Sequence, residues 1–359
     1  SKLSVDARHG KPVLVYTMAI TLKDEGEESA YAGASPCVCF TQPARFSFSV
    51  GDTALKTRPV VVGLGPAGLF AALLLARSGF RPLVLERGPE LDERVKAVEH
   101  FEKTGELNLN ANIQFGEGGA GTFSDGKLTT RVGDPLCAFV TDAFLQHGAP
   151  ADIAWRQKPH VGTDLLRGII RSIRQEIIAL GGEVRFNTAL TGLKIENGAL
   201  ASVETTAGDF ACEQLILAVG HSARDTFAML HRQGMPLECK PFSVGFRAEH
   251  LQTEIDKSLY HAAAGHPVLP VGEYQLSQHV SGGRCVYTFC MCPGGQVVAS
   301  ASEKGRVVTN GMSYHARNGR NANAAVVVSV GAEDFGADPR RAIAFQRELE
   351  AKAYAAGRA

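Results

Sequence analysis

The sequence predicts an α/β protein in which a parallel-sheet domain is followed by a β-rich domain. Three observations support this: a strand, a glycine turn and a helix follow one another from Pro59, strand patterns recur up to Gly220, and strands with glycine turns prevail beyond it. A chain of 359 residues can hold two or three packed units. We expect a small α/β region at 1–55, an α/β domain at 56–235 and a β-rich domain with a carboxyl-terminal helix at 236–359.

Composition excludes several classes of protein. Lys plus Arg and Asp plus Glu both number 37, so the net charge is zero. A balanced chain is a poor candidate for binding nucleic acid through phosphate neutralisation. The start of the chain lacks the pattern of a secretory signal, and a chain of this length does not need a disulfide framework. We therefore expect the eight cysteines to be reduced thiols of a cytoplasmic protein.

The run from Pro59 to Gly88 is among the most apolar of the chain, but it does not fit a membrane span. A transmembrane helix needs about 20 apolar residues without strong helix breakers, and glycines and a proline interrupt this run. It is better divided into a strand "PVVVG", a turn "GLGPAG", a helix "LFAALLLARSG" with Arg77 in its last turn, and a second strand "RPLVLERG".

The turn carries the spacing Gly63-x-Gly65-x-x-Gly68, the fingerprint of a dinucleotide-binding Rossmann unit. The first glycine makes the tight turn, the second lets the backbone approach a pyrophosphate, and the third lets helix and strand pack closely. Glu86 ends the second strand, where a carboxylate can accept both ribose hydroxyls and would repel a 2′-phosphate. The alternative is a glycine-rich packing turn without a ligand.

Three later features favour FAD over NAD. The segment from Asn112 to Thr130 is rich in glycine, as suits backbone contact with a large polar ligand, although it could also be a flexible surface loop. The segment from Gly181 predicts strands and a hairpin around Asn197-Gly198. The last of these strands, "QLILAVG", places Gly220 at the carboxyl edge of a sheet, where ligands of open α/β sheets bind.

Other segments predict supporting elements. Near the amino end, "KPVLVYTMAITL" and "ARFSFSVGD" are strand candidates. The segment "DLLRGIIRSIRQEIIALGG" has helical periodicity, and the stretch from Asp338 to Gly357 predicts an amphipathic helix with Pro339 in its first turn. We expect these helices to pack rather than to carry chemistry.

The order of fingerprint, acid, glycine-rich loop, β-meander and "LAVG" resembles the FAD-binding domain of glutathione-reductase-type flavoproteins. The motifs "VGLGPAGLFAALLLARSG", "FGEGGAGTFSDGKL", "KPFSVGFRAEH", "CMCPGG" and "VTNGMSYHARNGRNANAA" are similar to those of the bacterial FAD-dependent dehydrogenase family, whose members are largely uncharacterised. The resemblance covers the chain from about Lys56 to its end. It implies a glutathione-reductase-like FAD-binding Rossmann domain with an inserted β-rich substrate domain.

The resemblance also implies cofactor contacts at the fingerprint and the second strand. The turn and first helical residues would line the pyrophosphate: Gly63, Gly65, Pro66, Ala67 and Gly68. Glu86 would bind the adenosine ribose with Arg87 beside it, and Arg94 would lie near the phosphates.

Further contacts implied by the resemblance come from the loop and the meander. Loop residues that would approach the ribityl chain or the isoalloxazine are Gly118, Gly119, Gly121 and Thr122. Leu190 would meet the adenine through its backbone, and Gly220 ends a strand in which Val219 replaces the usual Thr. That replacement removes a side-chain hydroxyl contact expected at this position.

The β-rich region contributes the catalytic candidates Arg247, Cys290 and Cys292. Arg247 could bind a carboxylate or phosphate through both nitrogens, or form a strand-edge ion pair, whereas the nearby His250 is more typical of a structural histidine. In "TFCMCPGG" the two cysteines are two apart on a strand and should face the same way, where they could exchange electrons with a flavin. They could also be plain packing residues.

A zinc site is a further alternative for these thiols. Cys290 and Cys292 together with Cys37 and Cys39 would supply four thiolates, but a spacing of one intervening residue is atypical of structural zinc, and we expect no metal.

We expect a cytoplasmic FAD-dependent oxidoreductase with an unidentified small-molecule substrate. A single fingerprint leaves NAD(P)H, if used, as a transient donor. The alternatives are an NAD-bound dehydrogenase and a non-catalytic flavin- or nucleotide-sensing module. Neither a membrane nor a nucleic acid is expected as partner. After Gly220 we find no segment that returns to the flavin domain, so we expect this chain to hold FAD weakly.

Overall fold

The computed structural model describes residues 2–6, 12–23, 28–31, 35–41, 46–130, 132 and 134–357. The strands of the described residues are β1 (Lys2–Asp6), β2 (Val13–Thr17), β3 (Val60–Val62), β4 (Leu83–Leu85), β5 (Glu183–Arg185), β6 (Leu190–Glu196), β7 (Ala199–Thr205), β8 (Gly208–Ala211), β9 (Leu215–Leu217), β10 (Phe242–Leu251), β11 (Ser277–His279), β12 (Cys285–Cys292), β13 (Gln296–Ala299), β14 (Thr309–Met312) and β15 (Asn321–Val330). The helices are α1 (Glu28–Tyr31), α2 (Pro66–Arg77), α3 (Leu91–Thr104), α4 (Leu136–Gln146), α5 (Thr163–Ala179), α6 (Arg224–Arg232), α7 (Gln252–Tyr260), α8 (Ala332–Phe335) and α9 (Pro339–Gly357). None of the helices in these ranges combines the length and apolarity that crossing a bilayer requires.

A four-stranded parallel sheet in the order β5-β4-β3-β9 forms the centre of the first large domain. Its strands β3 and β4 are short, continuous apolar runs that are buried throughout, as expected of parallel strands covered on both faces. Helices α2 and α5 cover one face, with Val61, Leu73 and Ile173 fully buried between sheet and helices. The α/β fold and the strand–turn–helix–strand order predicted from Pro59 onwards are confirmed.

The antiparallel meander β6-β7-β8 packs on the other face of this sheet together with α6. Asn197 and Gly198 connect β6 to β7, and both have positive φ, 51° and 77°. Two consecutive left-handed residues make the turn that matches the twist of a two-residue hairpin. The predicted hairpin is therefore confirmed, with β9 returning to the parallel sheet beside β3.

The β-rich region forms an antiparallel sheet in the order β10-β15-β12-β11 and a separate hairpin, β13-β14. β10 and β15 pair over ten residues, whereas the register of β12 shifts between Phe289 and Cys292. Val298 and Met312 of the hairpin pack against Val98 of α3 and against Phe123 in the glycine-rich segment. This shared core holds the β-rich region against α3 and the glycine-rich segment, which follow β4 in the chain.

The amino-terminal region holds less regular structure than predicted. β1 pairs with β2, so the strand predicted within "KPVLVYTMAITL" is confirmed. The strand predicted in "ARFSFSVGD" is wrong for its described residues: 46–50 adopt no strand, while 44 and 45 lie outside the described residues. An alternating pattern becomes a strand only when a partner pairs with it. Here Phe46 instead packs against the ring of Phe139 in α4, at 5.4 Å between centroids and with the ring planes tilted by 47°.

The core between α2, α5 and the sheet predicts how much stability is lost when one of its buried side chains is shortened. Ile173→Ala removes a fully buried side chain and should lower the free energy of unfolding by about 3 kcal/mol. Ile178→Ala on the same helix is the matched control, because Ile178 is 46% exposed and its loss should cost no more than about 0.5 kcal/mol. Urea unfolding of both variants measures the difference. Equal effects would contradict the assignment of this helix face to the core.

Candidate active site

A cavity of about 530 Å³ opens at the carboxyl edge of the parallel sheet. Its walls come from the ends of β3, β4 and β9, the start of α2, the glycine-rich loop and the beginning of the meander. Ten of the sequence-predicted cofactor residues line it: Gly63, Gly65, Pro66, Ala67, Glu86, Arg87, Gly119, Gly121, Leu190 and Gly220. The position is the one at which open α/β sheets bind ligands.

The amino terminus of α2 faces this cavity and has no side-chain cap. Gly65 is the capping residue, Pro66 follows at the first helical position, and no acidic side chain lies in the first turn. The first backbone N–H groups of a helix have no partner within the helix. With no side chain to accept from them, these donors and the positive end of the helix dipole suit an anionic ligand.

The three glycines of the fingerprint are required for different reasons. Gly63 has φ 99°, and a Cβ there would strike the Ala218 carbonyl oxygen. A Cβ on Gly68 would strike the Gly63 carbonyl oxygen, so both glycines are required by the fold itself. Gly65 differs: its φ of −74° suits any residue, and a Cβ would meet only the Gly119 Cα, at 3.7 Å. The fold alone therefore does not require glycine at position 65.

The Glu86 carboxylate is buried, with 4% of the residue exposed, and joins three backbone segments. One oxygen accepts from the N–H of Leu64 at 2.8 Å, and the other accepts from the N–H groups of Gly88 at 2.9 Å and Gly116 at 3.1 Å. Each carboxylate oxygen can accept two hydrogen bonds. The oxygen that faces Leu64 thus keeps capacity for a hydroxyl of a bound ribose.

Arg87 lies at the rim of the cavity in a fixed orientation. Its guanidinium stacks on the Phe115 ring, 4.2 Å from the centroid, and donates to both oxygens of Asp225, at 3.0 and 2.8 Å. Burial raises the pKa of Asp225, but the hydrogen bonds and charge of Arg87 outweigh this and hold it below its usual range. The pair joins the end of β4 to the start of α6 beside the cavity.

Arg94, predicted to lie near the phosphates, does not line the cavity. It is fully buried beneath the glycine-rich loop, where it donates to the carbonyls of Asn112 at 2.9 Å and Ile113 at 2.9 Å, to that of Glu117, and to the Thr122 hydroxyl at 3.1 Å. Burial lowers the pKa of Arg94 to about 9, against the influence of nearby carboxylates. The side chain therefore stays cationic at neutral pH and holds the loop in shape.

Gly68, Gly118 and Thr122 also lie behind the cavity wall rather than in it. Gly118 has φ 81°, and a Cβ there would lie 2.7 Å from the Ile170 side chain. The Thr122 hydroxyl donates to the Glu117 carbonyl at 3.0 Å while accepting from Arg94. Gly118 and Thr122 thus shape the loop, whereas Gly119, Ala120 and Gly121 reach the cavity.

Several cavity residues were not singled out from the sequence. They follow the ends of strands, lie within the glycine-rich segment or belong to α6: Gln114, Phe115, Thr188, His221, Ser222, Thr226 and Phe227. The position of Gly220 at the carboxyl end of β9 could have found His221 and Ser222, because the residues directly after such a strand face the ligand crevice. Burial lowers the pKa of His221, so a neutral imidazole faces the cavity at neutral pH.

A second polar cluster joins the glycine-rich segment to the β-rich region. The Asp125 carboxylate accepts from Lys127 at 2.6 Å, from the Ser313 hydroxyl at 2.5 Å and from the Arg317 guanidinium at 3.0 Å. Burial opposes its ionisation, but the hydrogen bonds and charges of Arg317 and Lys127 lower its pKa to about 2. Lys127 also donates to the Met291 carbonyl, between the two cysteines of "CMC".

Cys290, Cys292 and Arg247 come together at the irregularity of β12, and none of the three lines the cavity. Arg247 donates to the Cys290 carbonyl at 3.1 Å and to the Asn323 side-chain oxygen at 2.6 Å. Arg247 forms no ion pair among the described residues and hydrogen-bonds polar groups of the sheet instead. His250 donates to or accepts from the Tyr274 hydroxyl at 2.6 Å, as expected of a structural histidine.

The alternative zinc site does not form among the described residues. No group of three or more His, Cys, Asp or Glu side chains in them is arranged to hold a metal ion. Cys37 and Cys39 are exposed, whereas Cys292 is buried, and all eight thiols are free.

Comparison with known proteins gives a family match, and the curated relatives include a close homologue. Residues 241–359 match the family model described as "FAD-dependent protein, C-terminal domain-like". An uncharacterized protein of Clostridium beijerinckii is 52% identical over 313 residues, which make up 87% of this chain and 59% of that protein. The chain thus spans less than two thirds of the length of this relative.

The similar solved structures include NikD, an unusual amino acid oxidase essential for nikkomycin biosynthesis. It is 16% identical to this chain, and the alignment covers 77% of this chain and 70% of NikD with a TM-score of 0.34. THI4 of Thermovibrio ammonificans is 16% identical to this chain. The alignment covers 51% of this chain and 64% of THI4, with a TM-score of 0.33. TM-scores of this size support no inference about function. The family match of the β-rich region supports an FAD-dependent protein family with FAD as cofactor, without specifying the glutathione-reductase type.

Proposed function

We propose that this chain is an FAD-dependent oxidoreductase of the glutathione-reductase type. It transfers hydride or electrons between flavin and an unidentified small-molecule substrate or NAD(P)H. The observation that carries the proposal is the uncapped start of α2 beside Gly65, where the fold itself leaves room for a Cβ. A glycine that the fold does not need, next to unpaired N–H donors, indicates a ligand that approaches the backbone closely.

The residues of the cavity fit the two halves of such a cofactor. Backbone donors at Gly65 and Ala67 would hold the pyrophosphate, and the free acceptor capacity of Glu86 would hold a ribose. Apolar side chains such as Leu190 and Phe227 offer apolar surface for the aromatic rings of the cofactor. Bound flavin would supply hydride and electron transfer, while the protein provides orientation and electrostatics.

Two other functions share this geometry. The fingerprint could hold NAD in a nicotinamide-dependent dehydrogenase, since Glu86 suits any adenosine ribose without a 2′-phosphate. A non-catalytic module could use the same cavity to sense a nucleotide. The family match of residues 241–359 favours FAD over NAD. Roles in turnover for Cys290, Cys292 and Arg247 stay predictions, because these residues lie outside the cavity lining.

The proposal predicts a coloured, reducible protein. Purified protein should show flavin absorbance in the visible range, and anaerobic addition of NADH, NADPH or a substrate should bleach it. Protein loaded with FAD serves as the reference for stoichiometry. Nicotinamide without flavin in the purified protein would establish the NAD alternative, and bound flavin that no donor reduces would establish the sensing module.

Gly65→Val should abolish flavin binding while leaving the fold intact. The added methyl groups would occupy the space of the pyrophosphate, whereas the backbone conformation of residue 65 suits valine. Gly168→Val is the matched control, because Gly168 lies on α5 in open space away from the cavity. The measurement is the flavin-to-protein ratio after FAD loading and gel filtration. An unchanged ratio in Gly65→Val would show that the fingerprint does not bind the cofactor.

Arg94→Met should disorder the glycine-rich loop. The carbonyls of Asn112, Ile113 and Glu117 would lose a charged donor in a buried place, which we expect to cost about 3 kcal/mol of unfolding free energy and most of the flavin occupancy. Lys96→Met on the exposed face of α3 is the control. Urea unfolding and flavin content are measured together. If both variants are equally stable and bind flavin equally, Arg94 does not organise the loop.

A further inference from the structure

The start of α6 forms part of the cavity wall. Residues 220–223, which lead from β9 into the helix, line the cavity, and so do Thr226 and Phe227 in its first turn. Arg224 and Asp225 lie between these two groups as the first two residues of the helix. Asp225 is held by Arg87 at the end of β4. The contacts of Arg224 therefore also bear on the position of this wall.

Arg224 connects α6 to the carboxyl-terminal helix α9. Its guanidinium donates to both carboxylate oxygens of Glu350, at 3.0 and 2.5 Å, and to the side-chain oxygen of Gln346 at 3.0 Å. The Arg224 and Glu350 side chains are only 10% and 13% exposed. A two-pronged contact between a guanidinium and a carboxylate fixes both distance and orientation, and solvent screens it little where it is mostly buried.

The β-rich region holds α9 at the same place. Glu303, between β13 and β14, lies 3.4 Å from the Arg224 guanidinium and accepts from Arg347 of α9 at 2.8 and 2.6 Å. The Val307 N–H donates to the Glu350 carbonyl at 3.2 Å. None of the residues of α9 is buried, so polar contacts of this kind contribute much of its attachment. Arg224 thus links the cavity wall to two elements of the region that matches the family model.

We propose that Arg224 is a positioning residue of the cofactor site, through which α9 holds the α6 wall of the cavity in place for FAD. This inference rests on the proposed function and deepens it, because it assigns retention of the cofactor to a contact with α9. Arg224 does not line the cavity and acts through the lining residues on either side of it in the chain. Without Glu350, a mostly buried cation would lose its main partner and would have to move towards water. Such a movement would displace residues 220–223, which directly precede it.

A positioning role differs from a merely structural one in its effect on ligand binding. A contact that stabilises the free and the ligand-bound protein equally leaves the affinity for the ligand unchanged. A contact that favours the bound arrangement raises the affinity, and the ligand must then stabilise that contact by the same free energy. Bound FAD should therefore protect α9, although α9 contributes no residue to the cavity lining.

Release of FAD from the loaded whole chain tests the role of this contact. Glu350→Gln removes the charge at nearly unchanged size and should release FAD at least about fivefold faster, as measured by the recovery of flavin fluorescence after dilution. Glu348→Gln is the matched control and should leave the rate unchanged, because Glu348 lies on the same helix, is exposed and bonds to Lys352. Arg224→Lys keeps the charge without the two-pronged geometry, so its rate should lie between those of the unaltered chain and Arg224→Met.

Amide hydrogen exchange measured by mass spectrometry gives a second readout. In the unaltered chain, FAD should slow exchange in peptides that cover 343–353 of α9. Without FAD, Glu350→Gln should speed exchange at 220–230 and leave 91–104 of α3 unchanged. Equal FAD release from Glu350→Gln and Glu348→Gln, or unchanged exchange at 220–230 in flavin-free Glu350→Gln, would overturn this inference and leave the proposed function standing. A chain that binds no flavin would instead contradict the proposed function itself.

Discussion

The buried carboxylate of Glu86 is the contact on which the candidate site depends. It accepts backbone hydrogen bonds from the turn after β3, from the segment after β4 and from the glycine-rich loop. An ionised group without water needs such donors, since burial of an unpaired charge costs several kcal/mol. The three segments must therefore meet at one point for the charge to be stable. That requirement positions the start of α2 and the glycine loop on the same cavity.

Below the loop, Arg94 imposes a complementary constraint. Its guanidinium presents several donors in a fixed plane, and carbonyls of the loop converge on it together with Thr122. Beside it, Glu117 accepts from the Leu91 N–H at 2.9 Å and from Arg174 at 2.7 Å, which ties the loop to α3 and α5. A glycine-rich segment would otherwise lose much conformational entropy on binding a ligand. Here the hydrogen bonds of Arg94 and Glu117 order the loop within the protein itself.

Local sequence patterns predicted those elements whose backbone conformation is determined by a few neighbouring residues. The turn at Gly63 needs positive φ, and the hairpin at Asn197-Gly198 needs two left-handed residues, so the residue types themselves mark the positions. Arg94 shows the limit of the family resemblance. The resemblance implied a place near the phosphates, and only the packing of α3 against the loop shows that carbonyls surround Arg94. The strand expected in "ARFSFSVGD" failed for the related reason that its partner is not encoded locally.

The bulge at Cys290 shows the same limit at the second polar site. Spacing two residues apart predicted that both thiols share one face of a regular strand, but regular alternation holds only where the ladder is unbroken. The left-handed residue replaces that alternation with a local arrangement in which the Cys292 thiol donates to the Cys290 carbonyl at 3.5 Å. Lys127 then connects this arrangement to the glycine loop, since it binds the Asp125 carboxylate two residues away and the Met291 carbonyl between the thiols. Displacing the loop would therefore move a cation that holds the backbone between the two cysteines, so the geometry of the cavity wall and that of the cysteine pair are physically linked.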